Sequence, residues 1–392
     1  MIEAHLHEWL NLLIRWIHMI VGIAWIGASF YFNWLENNLQ RHQPQERGIA
    51  GNLWAVHGGG FYHLKKFSSG PQSLPSPLHW FKWEAYTTWL SGFSLLVVVY
   101  YFNARAFLLD PAISALAPWQ GIATGIGSLL ASWLIYDQLC RSSLRQHPLL
   151  LAALIFSWFG FLAWALSELL SGRAAYIHVG AAIGTVMVAN VFFVIIPAQK
   201  EMVAALAESR PPDPAHGKSG LLRSRHNNYL TLPVLFTMIS SHFPGTYGHA
   251  QGWLILVLLS VVGVVARHYF NIRHVRPGTS WLLLACFAGM VAIMWFTAPS
   301  ANHSVANQKN ITDQQIASIM QSRCVSCHGS VPSQPGFAAA PKGIVLETID
   351  QVRQHKDKVY QTTVITRIMP LGNLTGIEPQ EREQIRQWAE AQ

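Results

Sequence analysis

LLLAALIFSWFGFLAWALSELL (residues 149–170) is followed, after SGRA, by AYIHVGAAIGTVMVANVFFVIIP (residues 175–197). Each run is close to the roughly 20 apolar residues that a helix needs to cross the hydrocarbon core of a bilayer. Glu168 is the sole Asp, Glu, Lys or Arg in the two. Working outward, further apolar runs occur at 9–33, 85–104, 118–140, 228–241, 252–271 and 280–298. The run at 228–241 is the shortest and contains Pro233. The reading is an all-α chain whose body is a polytopic helical membrane bundle of about eight spans. Composition agrees: 392 residues, 51% hydrophobic and 12% charged, where soluble chains carry about 25% charged residues. Disorder is excluded, since it needs few apolar residues and much charge.

The formal net charge is +8. Taken alone, this admits nucleic acid, an anionic surface or membrane topology as its cause. Its distribution decides. Residues 310–392 carry eight basic and eight acidic groups, so the whole excess lies in the body. There, Arg41, Arg47, Lys65, Lys66, Lys82, Arg141, Arg145, Lys200, Arg210, Lys218, Arg223, Arg225, Arg273 and Arg276 fall in one set of alternating loops. The opposite set holds Arg105 and Arg173. The positive-inside rule makes the first set cytoplasmic and puts both termini in the periplasm of a bacterial inner membrane. A cleavable signal peptide is not expected, because the first eight residues lack a basic region. Phosphate-cradling glycine loops and nucleic-acid motifs are missing, so no nucleic-acid partner is expected.

Three segments follow: a membrane domain over 1–298, a polar linker over 299–310 (PSANHSVANQKN) and a tail over 311–392 of ordinary polarity. The tail contains Cys324-Val325-Ser326-Cys327-His328. C-x-x-C-H is the attachment signature of a c-type haem. Two thiols at this spacing reach the two vinyl groups of one porphyrin, and the adjacent His supplies an axial nitrogen. A zinc site would want two more ligands, and His355 is the only other His or Cys in the tail. Thr312 can cap a helix starting at Asp313, with Ile316, Ile319 and Met320 inward, and a second helix reads at 378–391 with Ile385 and Trp388 on one face. This is the order of a small, class I-like cytochrome c domain. Met369 before Pro370 is the candidate sixth ligand, against the plainer reading of a core Met. Attachment of c haem in bacteria is periplasmic, which agrees with the loop count. A short linker keeps such a domain at high effective concentration over the body.

Ionisable residues inside spans are costly and default to functional candidates. Arg15 and His18 sit at i and i+3 and share a helix face. They are candidate catalytic residues, or an interhelical hydrogen-bonded pair. His178 and His242 lie toward the periplasmic ends of two spans, as helix-end residues or as ligands of a b-type haem. Asp137, His268 and the stretch Arg225–Asn228 lie toward the cytoplasm. His57-Gly58-Gly59-Gly60 reads as a flexible loop, and His57, His63 and His79 as a group with uninformative metal-ligand spacing. Cys140 and Cys286 read as small buried residues.

RWIHMIVGIAWIGASFYFNWLE (15–36), WAVHGGGFYHLKKF (54–67), HWFKWEAYTTWLSG (79–92), RHNNYLTLPVLF (225–236) and SHFP (241–244), with the CVSCH tail, resemble the bacterial membrane-bound, cytochrome c-coupled urate hydroxylases (urate oxidases). The likeness covers nearly the whole chain. It implies oxidation of urate to 5-hydroxyisourate with water as the oxygen source. Electrons would leave through the c haem to a soluble cytochrome c or a terminal oxidase. The resemblance transfers no catalytic residue. From the residues themselves, Arg15 suits a planar anion and His18 suits proton removal near neutral pH. The alternative is a non-catalytic b/c-type electron relay between quinol and a terminal oxidase.

Overall fold

A computed structural model describes residues 2–41, 47–68, 70–71, 73–298, 311–335 and 337–391. The expected linker, 299–310, lies outside them. The chain is mostly helical. The body comprises α1 (Ile2–Asn38), α2 (Trp83–Leu95), α3 (Pro118–Arg141), α4 (Pro148–Ser167), α5 (Gly172–Asn190), α6 (Ile196–Ala207), α7 (Pro214–Ile239) and two further helices, Gly252–Ile272 and Trp281–Phe296. A wider-wound segment, Val191–Ile195, fuses α5 and α6 into one run.

Local sequence explains the helix starts. Proline occupies the first turn of α3, α4 and α7, where its missing N–H costs nothing. Asp213 accepts from the Ala215 amide at 2.8 Å, and Ser171 from the Ala174 amide at 3.3 Å, so the first turns of α7 and α5 are capped.

Each expected apolar run falls on helix. Among the described residues, four helices are long and apolar enough to cross a membrane: His5–Asn38, Pro148–Ser167, Gly172–Ala207 and Gly252–Ile272. Trp281–Phe296 is apolar but shorter. The run expected at 228–241 is the second half of α7, which begins well before it. α5 is the central helix, with Tyr176, His178, Ala182, Val186, Met187 and Asn190 all buried against α3, α4 and α7. Around this core the outer faces are apolar and open: Trp119, Leu149, Phe161 and Leu284 are more than half exposed. In lipid such side chains need no protein cover, and helix association rests on close packing and polar contacts.

One region departs from the expectation of a flexible glycine loop. Ile49–His57 (β1) and Gly60–Phe67 (β2) form an antiparallel hairpin, with His57 paired to Gly60. Gly58 (φ 57°) and Gly59 (φ 80°) occupy the turn. Two consecutive left-handed residues are what a tight two-residue hairpin turn demands, and glycine adopts them without strain.

The tail has its own core of Ile316, Ile319, Met320, Leu346, Val352, Val359, Ile377, Ile385 and Trp388. Its first helix is Asp313–Arg323, capped by Thr312 with Gln315 reaching back to the Thr312 amide. Its last is Pro379–Ala391, and Trp388 Nε1 donates to Asp313 Oδ1 at 2.9 Å, which ties the two together. The tail also touches the body, packing Ile368 against the body core.

Candidate functional site

In the tail, Cys324 terminates the Asp313–Arg323 helix. The Cys327 and His328 amides both donate back to Cys324 O, at 3.1 and 2.8 Å, winding the motif into one helical turn. Arg323 fixes this turn to the opposite wall by donating to Thr375 O (2.6 Å) and to Glu381 (3.1 Å). Both thiols are free. Burial pushes the Cys324 thiol up to about 12, with the neighbouring Cys327 adding to the shift, and burial also raises Cys327. His328 Nδ1 donates to Ile344 O at 2.8 Å. That bond sets the tautomer and leaves the Nε2 lone pair free, as an axial ligand requires. These donors therefore fit a covalently attached haem: two free thiols and an imidazole held by its other nitrogen. Met369 is secured by its backbone: its amide donates to Thr362 O (3.1 Å) and its carbonyl accepts from Arg382 Nη1 (2.7 Å).

In the body, Arg15 and His18 do share one face of α1 but make no hydrogen bond to each other. Arg15 Nη2 donates to Asn11 Oδ1 at 3.0 Å, and the guanidinium lies within electrostatic reach of Tyr100 and Arg173. His18 Nδ1 donates to Thr88 O at 3.0 Å, with Ser91 Oγ also at 3.0 Å. Since a carbonyl only accepts, the proton sits on Nδ1 and the Nε2 lone pair is available to a substrate proton. α1 is held at both ends: His7 Nε2 contacts Val98 O (2.8 Å) and Asn37 donates to Asn271 O (2.8 Å).

His178 is fully buried. Its Nδ1 donates to Ala174 O at 2.8 Å, so Nε2 accepts from the Tyr101 hydroxyl at 3.2 Å. The ring lies flush on Gly125, where an added Cβ would be 2.6 Å from Nε2. His242 sits exposed on the short turn after α7. A ring with both nitrogens engaged and packed against Gly125 does not fit a haem ligand, so of the two readings of His178 and His242 this geometry favours helix-end residues over a b-haem pair. His63 stacks on Trp54 at 4.2 Å and His79 lies edge-on to Phe81, and among the described residues no group of three metal-ligating side chains forms.

Sequence reading singled out Asp137 and the Arg225–Asn228 stretch but missed the residue that joins them. Arg223 is buried on α7 and donates to Asp137 Oδ1 at 2.6 Å and to Asn190 Oδ1 at 3.3 Å. Its guanidinium lies 5.0 Å from the Tyr136 ring centroid. Asn190 Nδ2 donates to Tyr136 OH (3.0 Å) and Asn227 Oδ1 (2.8 Å), and the Tyr136 hydroxyl donates to His226 Nδ1 at 2.8 Å. Arg141 adds a second bond to Asp137, Nε to Oδ2, at 2.6 Å. The network opens into a cleft of about 430 Å3 lined by Arg141, Arg145, Arg223, His216 and Ser219. One carboxylate against three guanidinium groups leaves this cleft net positive. The missed signal was periodic: Arg223 and Asn227 stand one turn apart on one face of α7.

Comparison with known families settles the body. Residues 4–298 match the family described as urate oxidase N-terminal. The chain belongs to the urate oxidase N-terminal family. No curated protein and no solved structure matches. Membership identifies a urate oxidase-related body with a urate-related, oxidoreductase function. The match ends at residue 298, so the C-x-x-C-H motif lies outside the matched region.

Proposed function

We propose that this chain is a membrane-bound urate hydroxylase that oxidises urate to 5-hydroxyisourate and passes electrons out through its tail. The observation that carries the reading is the joining of a urate oxidase N-terminal region, ending at residue 298, to a C-x-x-C-H turn with His328 oriented by Ile344 O. Addition of water at C5 of urate releases two electrons and two protons. A c haem held by Cys324, Cys327, His328 and Met369 supplies one-electron acceptance when bound.

The chain's own residues meet the remaining needs. Urate near neutral pH is a planar monoanion, and Arg15 presents a planar cation for paired hydrogen bonds. His18 is proton-accepting at Nε2 because Nδ1 is committed to Thr88 O. Both lie on α1, in a helix long and apolar enough to cross a membrane, where a low dielectric would strengthen such contacts. The basic cleft around Arg223 faces the side that the loop charges assign to the cytoplasm, where an anion would first meet the protein. Electrons would continue to a soluble cytochrome c or a terminal oxidase in the inner membrane. The rival reading, a quinol-to-oxidase relay, needs a second haem in the body, and His178 does not fit one.

Anaerobic addition of urate to the purified protein tests the proposal. The expected result is reduction of the c haem, followed by its absorbance, with 5-hydroxyisourate formed in a ratio of one per two electrons. Absence of reduction, or reduction by quinol instead, overturns it.

A further inference from the structure

Met369 lies in a stretch that is bracketed by the membrane body. Three residues before it, Thr366 meets the Gly248 turn: a Cβ added at Gly248 would lie 2.6 Å from Thr366 O and 2.9 Å from Thr366 Cβ. Next to it, Ile368 packs against the body core. Three residues after it, Gly372 is pressed onto body backbone. A Cβ there would lie 2.7 Å from Arg105 O, 2.9 Å from Ala106 O and 3.1 Å from Leu109 O. These are backbone carbonyl oxygens of the wider-wound helical segment Ala104–Leu108 and its cap Leu109, so they cannot swing aside as a side-chain end could. From the tail side, Arg382 Nη1 holds both Thr363 O and Met369 O, and Asp110 of the body lies within electrostatic reach of the same guanidinium.

We propose that the membrane body clamps the loop carrying Met369, through the backbone of residues 105–109 and the Gly248 turn, and so positions the sixth haem ligand. The tail then makes a seated contact at its ligand loop, beyond its covalent tether. Both body elements belong to the loops that the charge distribution assigns to the periplasm, the side expected for the tail. The inference rests on the c-haem reading of the tail, with Met369 and the residues around it as positioning elements for the iron.

Gly372→Ala in the full-length holoprotein tests this, with Gly343→Ala as control. Gly343 is also left-handed (φ 67°) but has nothing within 4 Å of an added Cβ, so it carries backbone strain without a clash. Hydrogen exchange over segments 104–110 and 366–374 reads the docking, and the ferric methionine–iron absorption band reads the ligation. Gly372→Ala is expected to lose protection in both segments together and to weaken the band, while covalent haem stays stoichiometric. Substrate-driven reduction should slow on the order of tenfold to a hundredfold, and reduction by dithionite should be unchanged. Gly248→Ala, approaching from the body, should reproduce the loss of protection. If Gly372→Ala matches Gly343→Ala in both exchange and absorption, the clamp does not exist. Wild-type protein without covalent haem would instead refute the haem reading, with the exchange data still judging the docking.

Discussion

The Asp137 carboxylate is held by two guanidinium groups of different character. Arg223 is buried beside it and Arg141 reaches in from the surface, with its side chain 64% exposed. Removing one partner of a buried ion pair strands the other charge, at a cost of about 3–5 kcal/mol, whereas an exposed pair contributes about 0–1 kcal/mol. Asp137→Ala is therefore expected to lower the thermal midpoint of the detergent-solubilised body sharply, and Arg141→Ala barely. Equal shifts would show that Arg223 finds other compensation. At α1, His18→Ala is expected to cut urate turnover by roughly a hundredfold or more, as loss of a general base does, and Arg15→Ala to act chiefly on KM. Wild-type rates in both variants would remove these residues from the mechanism. The C-x-x-C-H thiols give a pH prediction. Cys324 is pushed up to about 12, so at neutral pH it is almost wholly the unreactive thiol. In protein made without haem attachment, alkylation of Cys324 should climb steadily from pH 7 through pH 10. Mass spectrometry of the labelled peptide would expose a plateau below pH 9, which contradicts the shift.

Helices and the hairpin illustrate how local rules become geometry. In the tail, Trp388 on the last helix is 2% exposed and bonds the first residue of the Asp313–Arg323 helix. Truncating a buried Trp costs about 3–5 kcal/mol, and here it also leaves Asp313 without that donor. Trp388→Ala is expected to melt the tail well below the wild-type temperature, measured by loss of hydrogen-exchange protection over residues 313–323 and 379–391, while the body's helical signal persists. Simultaneous loss of both would mean that body and tail unfold as one unit. The cap at Thr312 and the helical spacing of Ile316, Ile319 and Met320 were readable because they depend on neighbours within a turn, whereas the Gln315 side chain's return bond was not read. So was each apolar run, whose length is set by the bilayer. The hairpin at 49–67 was not, because its glycine turn resembles a loop until the two strands are seen paired.

At the scale of the whole molecule, charge is segregated: the body carries the excess and the tail none. Electrostatic steering needs a net field. On the proposed function, electron delivery from the tail to a soluble cytochrome should thus change little between low and moderate ionic strength, as measured by stopped-flow oxidation of the reduced tail. A steep fall with salt would reveal a local charged patch instead.

By itself the sequence determined the long apolar helices of the body, the Thr312 helix start in the tail and the C-x-x-C-H motif. Each of these depends on composition or on spacing within a few residues. Only the tertiary structure decided that Arg223 completes the Asp137 network, that both nitrogens of His178 are already satisfied, and that Gly372 rests on the carbonyls of residues 105–109. Apart from the one-turn bond of His178 to Ala174 O, those contacts join residues dozens to hundreds of positions apart. Which side chain meets which is set by the rotation and crossing of packed helices, and local periodicity does not encode it.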